Sequence, residues 1–240
     1  MFDAGAGEIG EGFEGLPSSL HTGDGDLQAQ QGMARRGTLF VDGSNQALIE
    51  ECLFQSQRGV GKAALYGVYD IQRNAGFMAV GVSHETAEFA VATLRHWVLE
   101  IGCVYYPGCT HLLIQADAGG ANAYDSWLWK VEVQKLADEF QLAITVTHYP
   151  TGASKWNLIE HRMFSVISQN WAGEPLVSYE TVLKFIRTSE TETGFYCLAY
   201  FDRKHYQTKR KVTPEEKANV NLQPHKLFPE WNYTIRPNSN

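Results

Sequence analysis

The chain has 240 residues, 44 % apolar and 12 % aromatic, enough to bury one sizeable core. It contains no run of the roughly eighteen apolar residues that a helical membrane span needs, and MFDAGAGEIGEGFEG lacks the positive stretch and apolar run of a signal peptide, so a cytoplasmic protein with no membrane contact is expected. The net charge of −7 is uneven: residues 1–60 carry nine acidic residues against three arginines, whereas the last sixty carry ten basic residues against six acidic ones, so overall acidity does not exclude nucleic acid as a partner of the C-terminal part.

Residues 1–37 hold GAGEIGEG and GDGD, are rich in Gly, Ser and Gln, and show almost no periodicity, which is the composition of a poorly ordered segment. TLFVDG, 38–43, can form a strand ending at Asp42. ALYGVYDI and GFMAVGV are β-rich runs joined by QRNA, which signals a hairpin. Ser83 can cap a helix with Glu85 in its first turn; Ala90, Leu94, Val98 and Ile101 form its stripe and Gly102 ends it.

HLLIQAD, 111–117, is short enough for a buried strand and ends on Asp117 before the turn AGGAN. Trp129, Val133, Leu136 and Phe140 mark a second helix, and LAITVTHYP reads as a further strand. The order β-β-α-β-α-β-α is that of an α/β layer design. In such sheets reactive groups gather at the carboxyl ends of strands, where Asp117 and His148 are expected.

In GASKWNLIEHRMFSVISQN, 152–170, Trp156, Ile159, Met163 and Ile167 recur at helical spacing as an apolar stripe. Glu160 falls inside that stripe, and burying an unpaired carboxylate costs several kcal/mol (roughly 3–5) or neutralises the group. Two answers stay open at this level. Glu160 faces a hard cation shared with Asp117, for which Mg²⁺ and Mn²⁺ are the suitable ions; or it pairs with Lys155 or Arg162 at the rim of the core.

HETAEFAVATLRHW, LLIQADAGGANAYDSWLWK, HYPTGASKWNLIEHRMFSVISQNWAGEPLVSYE and the closing EWNYTI together resemble the Rhodopirellula-type DDE transposases from about residue 61 to residue 235. The resemblance implies an α/β fold with an RNase H-like mixed sheet flanked by helices. It also implies DNA transposition by Mg²⁺- or Mn²⁺-dependent strand cleavage and transfer at insertion-sequence ends. Asp117 and Glu160 take the positions of two of the three metal-binding carboxylates, with Asp42 the leading candidate for the third and Asp70 a weaker one. Asn122, His148, Lys155, Asn157, His161 and Arg162 become candidate DNA or phosphate contacts. The implied partners are DNA and further copies of the chain, in a cytoplasmic, nucleoid-associated setting.

Upstream of residue 61 these motifs stop, so the first catalytic strand reads as missing or replaced. Residues 1–60 read as a separate segment from another reading frame or an unrelated start, and the whole as a truncated or degenerate copy. The alternative is an inactive remnant that binds only DNA or a transposase subunit. Ala118, Ala121, Thr151 and Ala153 depart from the family pattern, and Asp125, Ala172 and Glu174 stand where arginine is usual. Three lost cations weaken a phosphate-binding face.

Other features carry less. HETAE is not the HExxH of a zinc protease and reads as a solvated first turn. His161 lies about 100° round the helix from Glu160, which speaks against a shared zinc ion. GVGK lacks the spacing of a phosphate-cradling loop, and Cys52, Cys103, Cys109 and Cys197 form no CxxC pair. Trp127, Trp129, Trp156 and Trp171 could stack on bases, although core packing suits Trp129 and Trp156 better. DRKHYQTKRKV, 202–212, is either a backbone-binding basic run or a solvated hairpin.

Overall fold

A computed structural model of the chain describes residues 36–42, 53–56, 59–150, 153 and 156–239. Its strands in chain order are β1 (Arg36–Asp42), β2 (Leu53–Ser56), β3 (Gly59–Lys62), β4 (Ala64–Asp70), β5 (Ala75–Gly81), β6 (His111–Ala116), β7 (Ala143–His148), β8 (Tyr196–Asp202), β9 (Leu222–Pro224) and β10 (Asn232–Ile235). Eight of them form one mixed sheet in the order β8-β5-β4-β1-β6-β7-β10-β9, while β2 and β3 pair as a separate ribbon. Residues 38–42 of the run TLFVDG are thus part of a strand, Gly43 lies outside the described residues, and that strand occupies the centre of the sheet. It runs antiparallel to β4 and parallel to β6.

Both β4 and β5 are buried along their whole length. A strand covered on both faces loses the apolar–polar alternation of a half-exposed one, and its side chains sort instead by parity. Tyr66, Val68, Phe77 and Ala79 pack into one core, and Leu65, Tyr69, Met78 and Val80 into the other.

The first core lies beneath α1 (Ala87–Trp97) and α2 (Trp127–Phe140), through residues that include Leu94, Trp129, Val133 and Leu136. Thr86, not Ser83, caps α1: its hydroxyl accepts from the Phe89 N–H. Ser83 instead accepts from the Tyr206 N–H and donates to the Lys204 carbonyl, tying the strand end to the segment after β8. Nor does Gly102 end the helix. A π turn, Val98–Gly102, carries it into a further helical turn, Cys103–Tyr105, and Gly102 has ordinary helical dihedrals there.

The second core lies beneath α3 (Ser165–Trp171) and α4 (Tyr179–Arg187). A π turn, Glu160–Phe164, leads into α3. Its extra residue per turn shifts the helical phase, so Met163 and Phe164, neighbours in sequence, are both buried together with Ile159 and Ile167. Trp156 is not part of this stripe: it lies in a 3-10 turn before the helix that starts at residue 158 and is 69 % exposed. The last helix, α5 (Pro214–Ala218), opens on a capping box made by Thr213 and Glu216. No helix among the described residues is long and apolar enough to cross a membrane.

Candidate active site

Neighbouring parallel strands bring two aspartates to one level. The β1–β6 register runs from Arg36 opposite His111 to Val41 opposite Ala116, and the next residues are Asp42 and Asp117. Both sit at the carboxyl end of their strand, next to one another in the centre of the sheet, where open α/β sheets place their reactive groups.

The turn after Asp117 is tightly held. Asn122 donates to Asp117 Oδ1 at 2.6 Å and to the Asp117 carbonyl at 3.1 Å. The Gly119 N–H donates to Asp117 Oδ2 at 3.3 Å. From β4, the Tyr66 hydroxyl donates to Asn122 Oδ1 at 3.2 Å. From the end of β7, His148 sets Nε2 2.9 Å from the Asn122 carbonyl and Nδ1 2.9 Å from the Trp231 carbonyl. Carbonyl oxygens only accept, so the neutral ring, with one N–H, can serve one of the two and the imidazolium both. Burial pushes the His148 pKa down; the two carbonyls and the charge of Asp117 oppose that shift.

Glu85 enters the same neighbourhood just before α1. It is not the solvated first-turn residue that HETAE suggests. Burial raises its carboxyl to about 7, helped by the nearby charge of Asp117 and opposed by the Ala121 N–H and Lys62. A cation near Asp117 would relieve this repulsion and favour the ionised form of Glu85. Among the described residues, however, no three His, Cys, Asp or Glu side chains already gather closely enough to hold an ion. The Asp42 side chain lies outside that description.

Glu160 is tied to the same level through packing. Gly67 is the β4 register partner of Asp42. A Cβ on Gly67 would stand 2.7 Å from Phe164 Cε1 and 3.1 Å from Met163 Cε, so the bare glycine is what lets this helix seat on the sheet. Phe164 closes the π turn that Glu160 opens. Glu160 itself is half-buried, less enclosed than the position inside the stripe that helical spacing predicts.

Asp70 is at the opposite end of β4, opposite Leu39 on β1, three residues or about 10 Å along the strand from the Asp42 level. It is 1 % exposed and accepts from the Tyr106 hydroxyl on both oxygens (2.9 and 2.8 Å) and from the Gln72 and Arg73 N–H groups. Burial raises its pKa, and those donors oppose the rise. This is a saturated structural carboxylate that pins the β4–β5 turn to the helical turn Cys103–Tyr105.

Of the other sequence candidates, Asn122 and Asn157 are buried, His161 and Arg162 are exposed, and Lys155 lies outside the described residues. The basic run after β8 is exposed at Arg203, Lys204, Lys209 and Lys211, while Arg210 is held by Glu88 and Glu216. Glu85 is absent from the sequence candidates because its partners, Ala121 and Asp117, are distant in sequence, and no local pattern marks it.

The model of one protein family, described as the Rhodopirellula transposase DDE domain, matches residues 32–237. The match therefore includes β1 and Asp42, upstream of the motifs that begin near residue 61. No curated protein and no solved structure matches the chain.

Proposed function

The chain belongs to the Rhodopirellula transposase DDE family, and from that premise we propose that it cuts and joins DNA strands at the ends of an insertion sequence, using Mg²⁺ or Mn²⁺ held by Asp42, Asp117 and Glu160. The observation that carries this reading is the Val41–Ala116 register, which sets two aspartates side by side at the carboxyl ends of parallel strands. When bound there, a divalent cation supplies Lewis-acid activation of water and charge neutralisation of the scissile phosphate. Asp42 and Asp117 would hold the cation from the sheet, and Glu160 would hold it from the helix and serve the attacking or leaving oxygen. In the first step water attacks phosphorus and the P–O3′ bond breaks, leaving a 3′-hydroxyl. In the second, that hydroxyl attacks a target phosphodiester, its oxygen bonds to phosphorus, and the target's own P–O3′ bond breaks, releasing a 3′-hydroxyl on the target strand.

DNA is the partner this chemistry requires, and the exposed lysines and arginines after β8 offer it a sequence-independent hold. His161 and Arg162, exposed and next to Glu160 in the chain, would meet a phosphate of the same strand. Joining two transposon ends calls for more than one copy of the catalytic unit, so a homo-oligomer in the nucleoid belongs to the same proposal.

A second reading is a non-catalytic remnant that binds DNA or another transposase subunit. It is favoured by Asp125, Ala172 and Glu174, all exposed where the family usually carries arginine. A strand-cleavage assay separates the two. Duplexes carrying the ends of the element are incubated with the protein and Mg²⁺. Catalysis predicts nicking that falls at least about a hundredfold in Asp117→Asn and Glu160→Gln; a remnant binds the duplex and leaves it intact.

A further inference from the structure

We propose that His148 is a positioning residue for Asp117, acting through the Asn122 carbonyl rather than touching DNA itself. The proposal rests on Asp117 being a cation ligand, as set out above, and adds how that ligand is kept in place.

The geometry is specific at each atom. His148 ends β7, the strand beside β6, and is 7 % exposed. Neither ring nitrogen is directed to solvent: Nε2 meets the Asn122 carbonyl and Nδ1 the Trp231 carbonyl, each at 2.9 Å. A phosphate contact would need one of these N–H groups, and both positions are occupied by backbone oxygen. The ring also lies among aromatic neighbours, 5.9 Å from the Tyr233 ring and 6.5 Å from the Tyr124 ring between centroids, which fixes its plane.

What His148 grips is the far end of the Asp117 turn. Asn122 reaches back with its amide to Asp117 Oδ1 and to the Asp117 carbonyl. Its own side-chain oxygen is taken by Tyr66. Asn122 is therefore fixed at three points: Tyr66 from β4, His148 from β7, and Asp117 itself. A neutral ring has one N–H, and the clamp takes it to be the Nε2–H that meets Asn122; the anchor to the residue just before β10 is then the His148 backbone N–H, which donates to the Trp231 carbonyl at 3.1 Å. Two strands thus clamp the turn that orients the Asp117 carboxylate. Residues that orient a ligand from outside the coordination sphere commonly change metal affinity about 10- to 100-fold when removed.

The two ring nitrogens allow a separation that a packing role would not show. Asn offers an amide nitrogen where Nδ1 stands, and Gln one nearer to Nε2. His148→Asn therefore releases Asn122, whereas His148→Gln keeps it, and the backbone bond to Trp231 stands in both. Mn²⁺ binding is measured by calorimetry on the full chain for the wild type, both variants and Asp117→Asn, alongside thermal unfolding and amide hydrogen exchange at Gly119, the donor to Asp117 Oδ2. The expected result is a loss of Mn²⁺ affinity of about tenfold or more and faster Gly119 exchange in His148→Asn, with His148→Gln close to wild type. Equal losses in the two variants, or no loss in either while Asp117→Asn fails to bind, overturn the positioning role. If the wild type binds no Mn²⁺, the ligand role of Asp117 falls, and this proposal with it. Should either variant fail to fold, Gly119 exchange in Tyr66→Phe, which releases Asn122 from the β4 side, decides in the same sense: faster exchange supports the clamp and unchanged exchange overturns it.

Discussion

Val41 and Ala116 are register partners on neighbouring parallel strands, and each is followed by an aspartate. This pairing is what supports the proposal of Asp42 as the first of the three carboxylates. Asp70, the other acidic residue at the end of a central strand, is turned away from this end and is fully engaged by Tyr106 and two backbone donors.

That difference can be measured. Tyr106→Phe removes the side-chain donor from both Asp70 oxygens inside a buried site, and is expected to lower stability by about 1.5–3 kcal/mol in urea unfolding. Cation affinity should stay at the wild-type value. A large loss of Mn²⁺ affinity without a loss of stability would return Asp70 to the ligand set.

Gly67 makes a second, steric prediction. Gly67→Ala places a methyl group against the Phe164 ring and the Met163 terminal methyl, both in buried side chains, so one of them must shift. Overpacking of this kind costs about 1–3 kcal/mol. Phe164→Leu in the same chain should recover part of the loss, a coupling visible in a double-mutant cycle. Strict additivity of the two substitutions would place Gly67 and Phe164 out of contact.

Glu85 predicts a pH dependence of stability. Its carboxyl is raised from 4.5 to about 7, so between these values the folded chain keeps a proton that the unfolded chain has lost. The contribution of this group to stability therefore falls as pH rises from about 4.5 to about 7, and stays low above that. A tenfold difference in proton affinity between the folded and unfolded chain corresponds to about 1.4 kcal/mol. Glu85→Gln, which keeps an acceptor for the Ala121 N–H, should flatten this decline and be the more stable protein at pH 8 by about 1–3 kcal/mol. Saturating Mg²⁺ should shrink the decline in the wild type, since a cation favours the ionised carboxylate. An identical decline in wild type and Glu85→Gln would contradict the assignment.

The basic run after β8 divides into groups with different tasks. Arg210 is engaged by Glu88 and Glu216, so Arg210→Ala should alter DNA affinity little and stability by at most about 1 kcal/mol. Lys209 and Lys211 are exposed. Replacing both by Ala should reduce the slope of log affinity against log salt by about two in a filter-binding titration. An unchanged slope would assign these lysines to solvent alone.

Much of the layer design is legible in the chain itself. The hairpin around QRNA, the strand that stops before Asp117 and the stripe of Trp129, Val133 and Leu136 are local patterns, and each appears in the fold. What is not local is harder to read. Whether a short run such as TLFVDG sits at the edge or the centre of a sheet depends on partners that periodicity does not name. The cap on α1 falls to Thr86 rather than Ser83 because the segment after β8 engages Ser83. Trp156 is outside the stripe because the helix begins only after Asn157, and the π turn brings Phe164 into the stripe beside Met163. The Asp117 clamp depends on His148 meeting residues 26 and 83 positions away, a closeness only the folded sheet creates.

The most direct test of the carboxylate assignment is Mn²⁺ titration calorimetry of the full chain beside Asp42→Asn, with thermal unfolding to confirm that both are folded. If Asp42 and Asp117 share a cation across the β1–β6 pair, the variant binds Mn²⁺ at least about tenfold more weakly, as expected when a carboxylate ligand becomes a neutral amide. Equal affinity in a folded Asp42→Asn protein would remove Asp42 from the site and leave the chain without its first catalytic carboxylate.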